Sequence, residues 1–298
     1  MDFLILHSSE DNASMNIRER FLNSRQYQFQ ETHLTLNNQQ LIELKGKRFD
    51  LDMENRIYLG LVDVPLIFLK DLSFSNNKFV PDLLIFASRH RSETARPAFL
   101  VHTTGNWTAD TEFGGKPFQL SKTSALLLKA GFIALAQQFK DSNLNKFVID
   151  LEVTHHGPTA LKIPLIFMEL GSSDSEWVIK EAGELVSKAI VNAIEKYIEL
   201  REKKSQLVGL GFGGTHYAPN FSRILSNNDI ALSFICPKYF ILNLNYDMIK
   251  NMINSTLEPI DYFIIDWKGT TSDDKKHLIP LLEEFDKPIV KTKDFKSD

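Results

Sequence analysis

The segment FVIDLEVTHHGP, residues 147–158, decides how the rest of this sequence is interpreted. It begins as a short apolar run and ends in Thr, two histidines, Gly and Pro. An apolar run of this length bounded by turn residues predicts a buried strand. In open α/β sheets, ligands bind outside the carboxyl ends of such strands. The segment therefore predicts an α/β protein that presents two imidazoles at a crevice.

The two histidines can meet only if the chain turns. In an extended segment, the side chains of His155 and His156 point to opposite faces. Gly157 and Pro158 supply the turn signal, because Gly accepts positive φ and Pro fixes its own φ. Glu152 lies about 13 Å from His156 along an extended strand, so it is not expected to orient that imidazole directly.

Composition excludes several classes of protein. The single cysteine, Cys236, rules out a disulfide framework or a cysteine-based zinc site within the chain. A formal net charge of -4 argues against a protein that coats nucleic acid through its phosphates, although an enzyme acting on one end of an RNA remains open. No segment reads as a signal peptide or a membrane span. We expect a cytoplasmic monomer that makes no membrane contact.

Outward from residues 147–158, apolar runs alternate with amphipathic segments along the chain. We expect one α/β unit over residues 1–298, within which residues 1–80 can form a subdomain beside a catalytic core at 81–298. Residues 46–80 read as irregular, with a turn at Asn76-Asn77. Strands are predicted at 3–7, 83–87, 98–101, 147–153, 162–170, 207–211, 230–235, 262–265 and 288–290. Helices are predicted at 12–22, 121–139, 246–254 and 271–285, with a hairpin over 32–44.

Capping residues refine two of these helices. Asn12 or Ser14 is expected to cap the first one. Ser173 and Glu176 have the spacing of a capping box, and apolar residues from 182 to 197 predict a long helix after it.

Histidines concentrate where the predicted strands end. Five of the eight lie at four such ends, so a shared pocket is the simplest explanation; they are His90, His102, His155, His156 and His216. The glycine run before His216 lacks the spacing of a dinucleotide fingerprint. Its glycines, Gly213 and Gly214, are instead expected to let the backbone approach a substrate closely.

Several segments together resemble one family, the archaeal and plant type of D-aminoacyl-tRNA deacylase. They are ASMNI (13–17), ASRH (87–90), HTTGNW (102–107), EVTHHGP (152–158), GSS (171–173) with Trp177, GGTHYAP (213–219) and DWKG (266–269). The resemblance implies a three-layer α/β/α fold with a mixed, largely parallel sheet, of the phosphorylase and peptidyl-tRNA hydrolase kind. It also implies a zinc-dependent enzyme that hydrolyses the ester between a D-amino acid and tRNA.

For such a hydrolase, His155, His156, His216 and Glu152 are the candidate catalytic residues. The histidines can act as general base or as zinc ligands, and the ribose 2′-hydroxyl can assist instead. All five strand-end histidines form the pool of zinc ligands. Backbone N–H groups around Gly157 or Gly213-Gly214 are expected to receive the oxyanion. The sequence has neither an HExxH zinc motif nor a GxSxG elbow.

The same segments supply the candidate substrate-binding residues. They are Ser88, Arg89, Asn106, Trp107, Thr154, Gly157, Ser172, Ser173, Gly213, Gly214 and Tyr217. Trp107 or Tyr217 can stack on the terminal adenine, although a large aromatic at a strand end is also typical of packing. Two other functions stay open at this point: a nucleoside phosphorylase-like or peptidase-like enzyme on the same core, and a non-catalytic RNA-binding module.

Overall fold

The computed structural model describes residues 1–45, 55–75, 79–203, 205–227 and 229–295. The strands are β1 (Asp2–Ser8), β2 (Gln28–Leu36), β3 (Gln39–Lys45), β4 (Arg56–Val62), β5 (Leu83–Arg91), β6 (Ala98–His102), β7 (Val148–Leu151), β8 (Leu165–Ser172), β9 (Leu207–Phe212), β10 (Ile230–Cys236), β11 (Tyr262–Ile265) and β12 (Ile289–Lys291). The α-helices are α1 (Asn12–Leu22), α2 (Ala125–Lys140), α3 (Asp174–Trp177), α4 (Lys180–Glu202), α5 (Pro219–Asn227), α6 (Tyr246–Ser255) and α7 (Ser272–Glu283).

The strands form two sheets. The larger has the order β2-β3-β4-β1-β5-β8-β6-β7 and the smaller the order β10-β9-β11-β12. The smaller sheet is parallel, whereas the larger is mixed, because β2 and β3 form an antiparallel hairpin and β6 runs antiparallel to β8. The predicted α/β class with a mixed, largely parallel sheet is thus confirmed.

The central strands β1, β5 and β8 of the larger sheet are buried on both faces over most of their length, which explains why they are nearly continuous apolar runs. Alternate residues of β1 point to opposite sides: Phe3 and Ile5 pack against the helices, and Leu4 and Leu6 pack against a second apolar cluster. Helix α2 packs on both sheets through β6 and β10. The sheets are therefore joined by a shared core. Among the described residues, no helix is long and apolar enough to cross a lipid bilayer.

Strand β4 and helix α5 were not expected from the sequence. The prediction of irregular structure between 46 and 80 is wrong for β4, whose residues Ile57 to Leu59 are buried beside β1. Helix α5 begins at Pro219, a residue that suits a first helical position. The predicted turn at Asn76-Asn77 lies outside the described residues. Strands β1 and β4 share a sheet with β5, and the subdomain division at residue 80 stays a prediction.

Two capping predictions need correction. Asp11, not Asn12 or Ser14, caps α1 by accepting from the Ser14 N–H at 3.0 Å. Ser173 does cap a helix, but only the four-residue α3. The long helix α4 begins separately at Lys180 without a side-chain cap.

Candidate active site

The strand-end histidines border a cavity of about 660 Å³. Its wall is built from the end of β5, the loop after β6, the turn after β7 and the loop after β10. Among the histidines, His90, His155, His156 and His216 line it directly. Chain segments from both sheets thus meet at one place.

A bend of the chain brings His155 and His156 together. Strand β7 ends at Leu151, and His156 has a φ of 40°, in the left-handed region. The ring centroids of His155 and His156 lie 4.4 Å apart, and His102 lies 4.4 Å from His155 and 4.8 Å from His156. The turn required by the sequence argument is present.

The hydrogen bonds of these three rings fix their tautomers. Nδ1 of His102, His155 and His156 lies 3.1, 2.8 and 2.6 Å from the carbonyl oxygens of Thr103, Val153 and Gly157, respectively. A carbonyl only accepts, so each Nδ1 carries the proton. In the neutral ring, Nε2 then holds the free lone pair that a metal ion requires.

Burial keeps two of these rings neutral. Burial, together with His102 and His156, holds the pKa of His155 well below its usual value. Burial and His102 lower the pKa of His156 to about 4. Because the neutral form is the one that ligates metals, both rings are prepared for that role at neutral pH.

A buried carboxylate holds His216 in place. Oε1 of Glu152, on a residue with 1% exposure, lies 2.8 Å from Nε2 of His216. Burial alone would raise the pKa of Glu152, but the hydrogen bond from His216 and the neighbouring imidazoles of His155 and His90 lower it to about 2. The carboxylate therefore accepts a hydrogen bond from Nε2–H of His216, and the other ring nitrogen, Nδ1, lies 3.4 Å from the Tyr239 hydroxyl.

Glu169 is a second buried carboxylate that the sequence analysis missed. Its Oε2 lies 3.6 Å from Nδ1 of His90 and 3.6 Å from Nε2 of His102. Burial lowers the pKa of both histidines, but Glu169 and Glu152 together outweigh burial, so both pKa values are raised. The available signal was a single acid inside the apolar strand β8, because a carboxylate is almost never buried without a partner.

The cluster offers three groups of ligands for a metal ion. In each group the ligand atoms lie within 4.8 Å of one another: His102 with His155 and His156, Glu152 with His155 and His216, and His90 with Glu152 and Glu169. Among the described residues, Nε2 of His90, Nε2 of His102 and Oε2 of Glu152 are buried without a hydrogen-bond partner. Buried polar atoms are normally satisfied, so this cluster is chemically suited to hold an ion.

The N–H groups of the three glycines named as oxyanion donors already have hydrogen-bond partners in the structure, and an oxyanion site formed by neighbouring N–H groups stays a prediction. The N–H of Gly157 donates to Phe113 O at 3.0 Å. Those of Gly213 and Gly214 donate to Cys236 O and Gly269 O at 2.8 and 3.0 Å. These glycines serve close packing: a Cβ on Gly157 would lie 2.3 Å from the backbone nitrogen of Gly115.

Several candidate substrate-binding residues have structural partners. Trp107 borders the cavity but is only 2% exposed, and its indole N–H donates to Thr154 O at 2.7 Å, so its burial favours packing over adenine stacking. The Thr154 hydroxyl lies 2.7 Å from that of Thr103. Asn106 also borders the cavity, and its amide donates to Gly114 O at 2.8 Å.

Ser88 and Arg89 are held at the cavity by hydrogen bonds to Asp11, a residue that the sequence analysis did not single out. The Ser88 hydroxyl and the Arg89 backbone N–H both donate to Asp11 Oδ2, at 3.2 and 2.8 Å. All three residues line the cavity. The cap of α1 therefore also fixes the end of β5 at the site.

Ser172, Ser173 and Tyr217 do not border the cavity as far as the described residues show. Ser172 donates to Arg96 O at 2.7 Å, and Ser173 caps α3. The Tyr217 ring lies 5.2 Å from the His216 ring and below the guanidinium of Arg96. Tyr217 thus contacts the histidine cluster but does not line the cavity.

Two exposed aromatic residues at the cavity were also missed. Phe113 is 59% exposed and Tyr239 is 50% exposed, and both line the cavity. Neither lies at a predicted strand end with a histidine, so the strand-end rule could not find them.

Fold and site together define an α/β protein with a buried histidine and carboxylate centre that is suited to hydrolysis. A family model described as D-aminoacyl-tRNA deacylase matches residues 77–290. The D-aminoacyl-tRNA deacylase of Methanocaldococcus jannaschii is 36% identical over 206 residues, covering 68% of this chain and 79% of that protein. That of Pyrococcus furiosus is 32% identical over 290 residues, covering 97% and 99%.

A solved structure agrees with these relatives. The crystal structure of a conserved protein of unknown function superposes with a TM-score of 0.79 at 28% identity, covering 99% of this chain and 96% of that one. The chain belongs to the D-aminoacyl-tRNA deacylase family, a family of hydrolases. The resemblance noted in the sequence is confirmed, and membership favours the hydrolase over the two other functions kept open above.

Proposed function

We propose that the histidine and carboxylate cluster is the centre at which this chain hydrolyses the ester of D-aminoacyl-tRNA. The observation that carries the proposal is the pairing of His216 with buried Glu152 at 2.8 Å. The pairing orients the His216 imidazole at the cavity, with Nδ1 as the ring nitrogen that the carboxylate does not hold. A positioned imidazole of this kind is a suitable general base for water.

In the proposed reaction, the oxygen of a water molecule attacks the carbonyl carbon of the ester while Nδ1 of His216 takes its proton. The resulting imidazolium is stabilised by the Glu152 carboxylate. The bond between the carbonyl carbon and the ribose oxygen then breaks. The ribose oxygen receives the proton, and the products are a free D-amino acid and tRNA.

We also propose zinc as the cofactor, held by His102, His155 and His156. The proposal is supported by the hydrogen bond of each Nδ1 to a carbonyl oxygen, which makes each Nε2 the available ligand atom. Metal binding would displace the proton that Glu169 favours on the buried Nε2 of His102. A zinc ion at such a site supplies a Lewis acid that lowers the pKa of a bound water. Three histidines with an open fourth position are typical of catalytic zinc.

The cellular setting is proposed on the chemistry of the substrate. Charged tRNA is used in the cytoplasm, so we propose that the protein acts there. A monomer stays a prediction, which light scattering of the purified protein checks.

The central experiment incubates the protein with D-aminoacyl-tRNA and L-aminoacyl-tRNA carrying the same amino acid. We expect release of the amino acid from the D-substrate and retention of the L-substrate. Equal release from both would overturn the preference for the D-substrate, and binding without release would overturn the hydrolase. Metal analysis of the untreated protein checks zinc separately.

A further inference from the structure

The charges around the cavity suit an amino acid better than an RNA backbone. Its lining contains five carboxylates against two guanidinium groups. The carboxylates belong to Asp11, Glu93, Asp110, Glu112 and Glu169, and the guanidinium groups to Arg89 and Arg91. The ammonium group of an aminoacyl ester matches this charge, whereas phosphates would be repelled by it. The phosphates of a tRNA substrate must therefore be bound elsewhere.

A second cavity has the opposite charge. It has a volume of about 740 Å³, and its charged lining residues are Lys122, Lys162, Lys250 and Asp247. Among the described residues, none of these three lysines forms an ion pair with a carboxylate. In a chain with a net charge of -4, a groove of unneutralised lysines stands out. We call it the lysine groove.

The walls of the lysine groove are held in place by backbone hydrogen bonds. The Thr123 N–H donates to Ser255 O at 2.9 Å, and the Leu257 N–H donates to Thr123 O at 2.9 Å. These bonds fix the segment that carries Lys122 against the end of α6, which carries Lys250. The amide side chains of Asn251 and Asn254 on α6 line the same groove. Amides and ammonium groups on fixed walls are the groups that contact phosphate oxygens.

The loop of residues 105–120 connects the active-site cavity with the lysine groove. Gly105 lines the cavity, and its β-bridge partner Leu120 lines the groove. Within the loop, Asn106 donates to Lys116 O at 3.2 Å, and the Lys116 N–H donates to Thr159, a groove residue, at 2.8 Å. A nucleic-acid strand whose end lies in the cavity can cross this loop and reach the groove.

The crossing loop presents an aromatic ring to solvent. Phe118 is 49% exposed and has a φ of 51°. A bulky residue in the left-handed region is uncommon and marks a position where the backbone is constrained. Exposed aromatic rings beside basic grooves are stacking surfaces for single-stranded bases.

We propose that the lysine groove binds the phosphates of the tRNA acceptor end, with Lys122, Lys162 and Lys250 as the phosphate contacts. This inference rests on the proposed function, because it takes the aminoacyl ester to lie in the histidine cavity. The substrate is then divided by charge: its ammonium end enters the acidic cavity, and its phosphates cross the loop to the basic groove.

The test compares a long and a short substrate. The long one is D-aminoacyl-tRNA, and the short one is 3′-O-(D-aminoacyl)adenosine, which lacks the remaining phosphates. The variant replaces all three groove lysines (Lys122→Gln, Lys162→Gln and Lys250→Gln). The control removes the same charge elsewhere (Lys188→Gln, Lys196→Gln and Lys276→Gln), at helix lysines that pair with carboxylates outside the groove.

We expect the groove variant to raise KM for the tRNA about tenfold with kcat nearly unchanged, since three phosphate contacts are lost. The slope of log(kcat/KM) against log salt concentration should become shallower by about 2. Turnover of the adenosine ester and all parameters of the control should stay at wild-type values. Equal behaviour of the variant and the control, or an equal loss on the adenosine ester, would overturn the proposal. Failure of the wild type on both substrates would instead overturn the proposed function.

Discussion

Replacement of Glu152 by Gln tests the proposed role of His216 most directly. The carboxylate lies 2.8 Å from His216 Nε2 and 3.5 Å from His90 Nδ1. The side-chain amide of the Glu152→Gln variant can turn its NH₂ group toward Nε2, which then must accept. The His216 proton would move to Nδ1, and the lone pair needed for water would be lost from the cavity side. The substitution also removes the negative charge that stabilises the imidazolium formed during the reaction.

The magnitude follows from the geometry. Charges about 4 Å apart at an effective dielectric constant of about 20 attract by about 4 kcal/mol, which corresponds to roughly a thousandfold in rate. The Glu152 side chain is fully buried but that of His216 is 37% exposed, so solvent screens part of this energy. We therefore expect kcat to fall by about 10²-fold to 10³-fold, within the usual range for general base catalysis.

The assay measures single-turnover release of a D-amino acid from tRNA, together with thermal unfolding and zinc content. Glu258→Gln is the control, because Glu258 is also a hydrogen-bonded carboxylate but contacts the first turn of α2. The control should lower stability without a large change in kcat. A folded Glu152→Gln protein that keeps kcat within about threefold of wild type would refute the role assigned to His216. A loss of zinc in parallel with activity would assign Glu152 to the metal instead.

Three further substitutions test the zinc site, the packing of the turn at Gly157 and the buried histidine of β1, His7. His156→Ala should remove zinc and lower kcat by about 10²-fold or more, and chelation of the wild type should do the same; activity that survives complete metal removal would contradict this. Gly157→Ala should lower the free energy of unfolding, measured by chemical denaturation, by about 1–3 kcal/mol, because the new methyl group would lie 2.3 Å from backbone. Gly131→Ala is the control and should lower it less, because its methyl group would meet only side chains, the nearest at 3.2 Å. Burial and Arg18 lower the pKa of His7 from 6.5 to about 3. Between about pH 6.5 and pH 3, the unfolded chain therefore binds a proton at His7 that the folded chain does not bind, and the free energy of unfolding falls as the pH falls through this range. His7→Gln should remove about 2 kcal/mol of the difference in unfolding free energy between pH 7 and pH 5, measured by urea denaturation, and an unchanged difference would contradict the assignment.

Local sequence patterns were sufficient to find the histidines. The rule that polar residues after buried strands meet at one sheet edge found His90, His102, His155, His156 and His216, because each follows or ends an apolar run. Hydrophobic periodicity likewise predicted most of the helices and strands. These features depend on short-range periodicity, which a single sequence contains.

Long-range partners could not be predicted in the same way. Glu169 lies 67 residues from His102 in the chain, and the Phe113 carbonyl that engages the Gly157 N–H lies 44 residues from Gly157. Whether a backbone N–H is free for an oxyanion depends on such pairs. The sequence could therefore place the glycines near the site but could not tell that their donors were already used.

Assembly of the site from both sheets has a consequence for folding. Val153, just after β7 of the larger sheet, donates its N–H to the carbonyl of His216, which follows β9 of the smaller sheet, at 2.9 Å. A nascent chain that has completed only the larger sheet still lacks its proposed base. Enzymatic competence thus requires the smaller sheet to dock on the larger one, and turnover reports that the two sheets have joined.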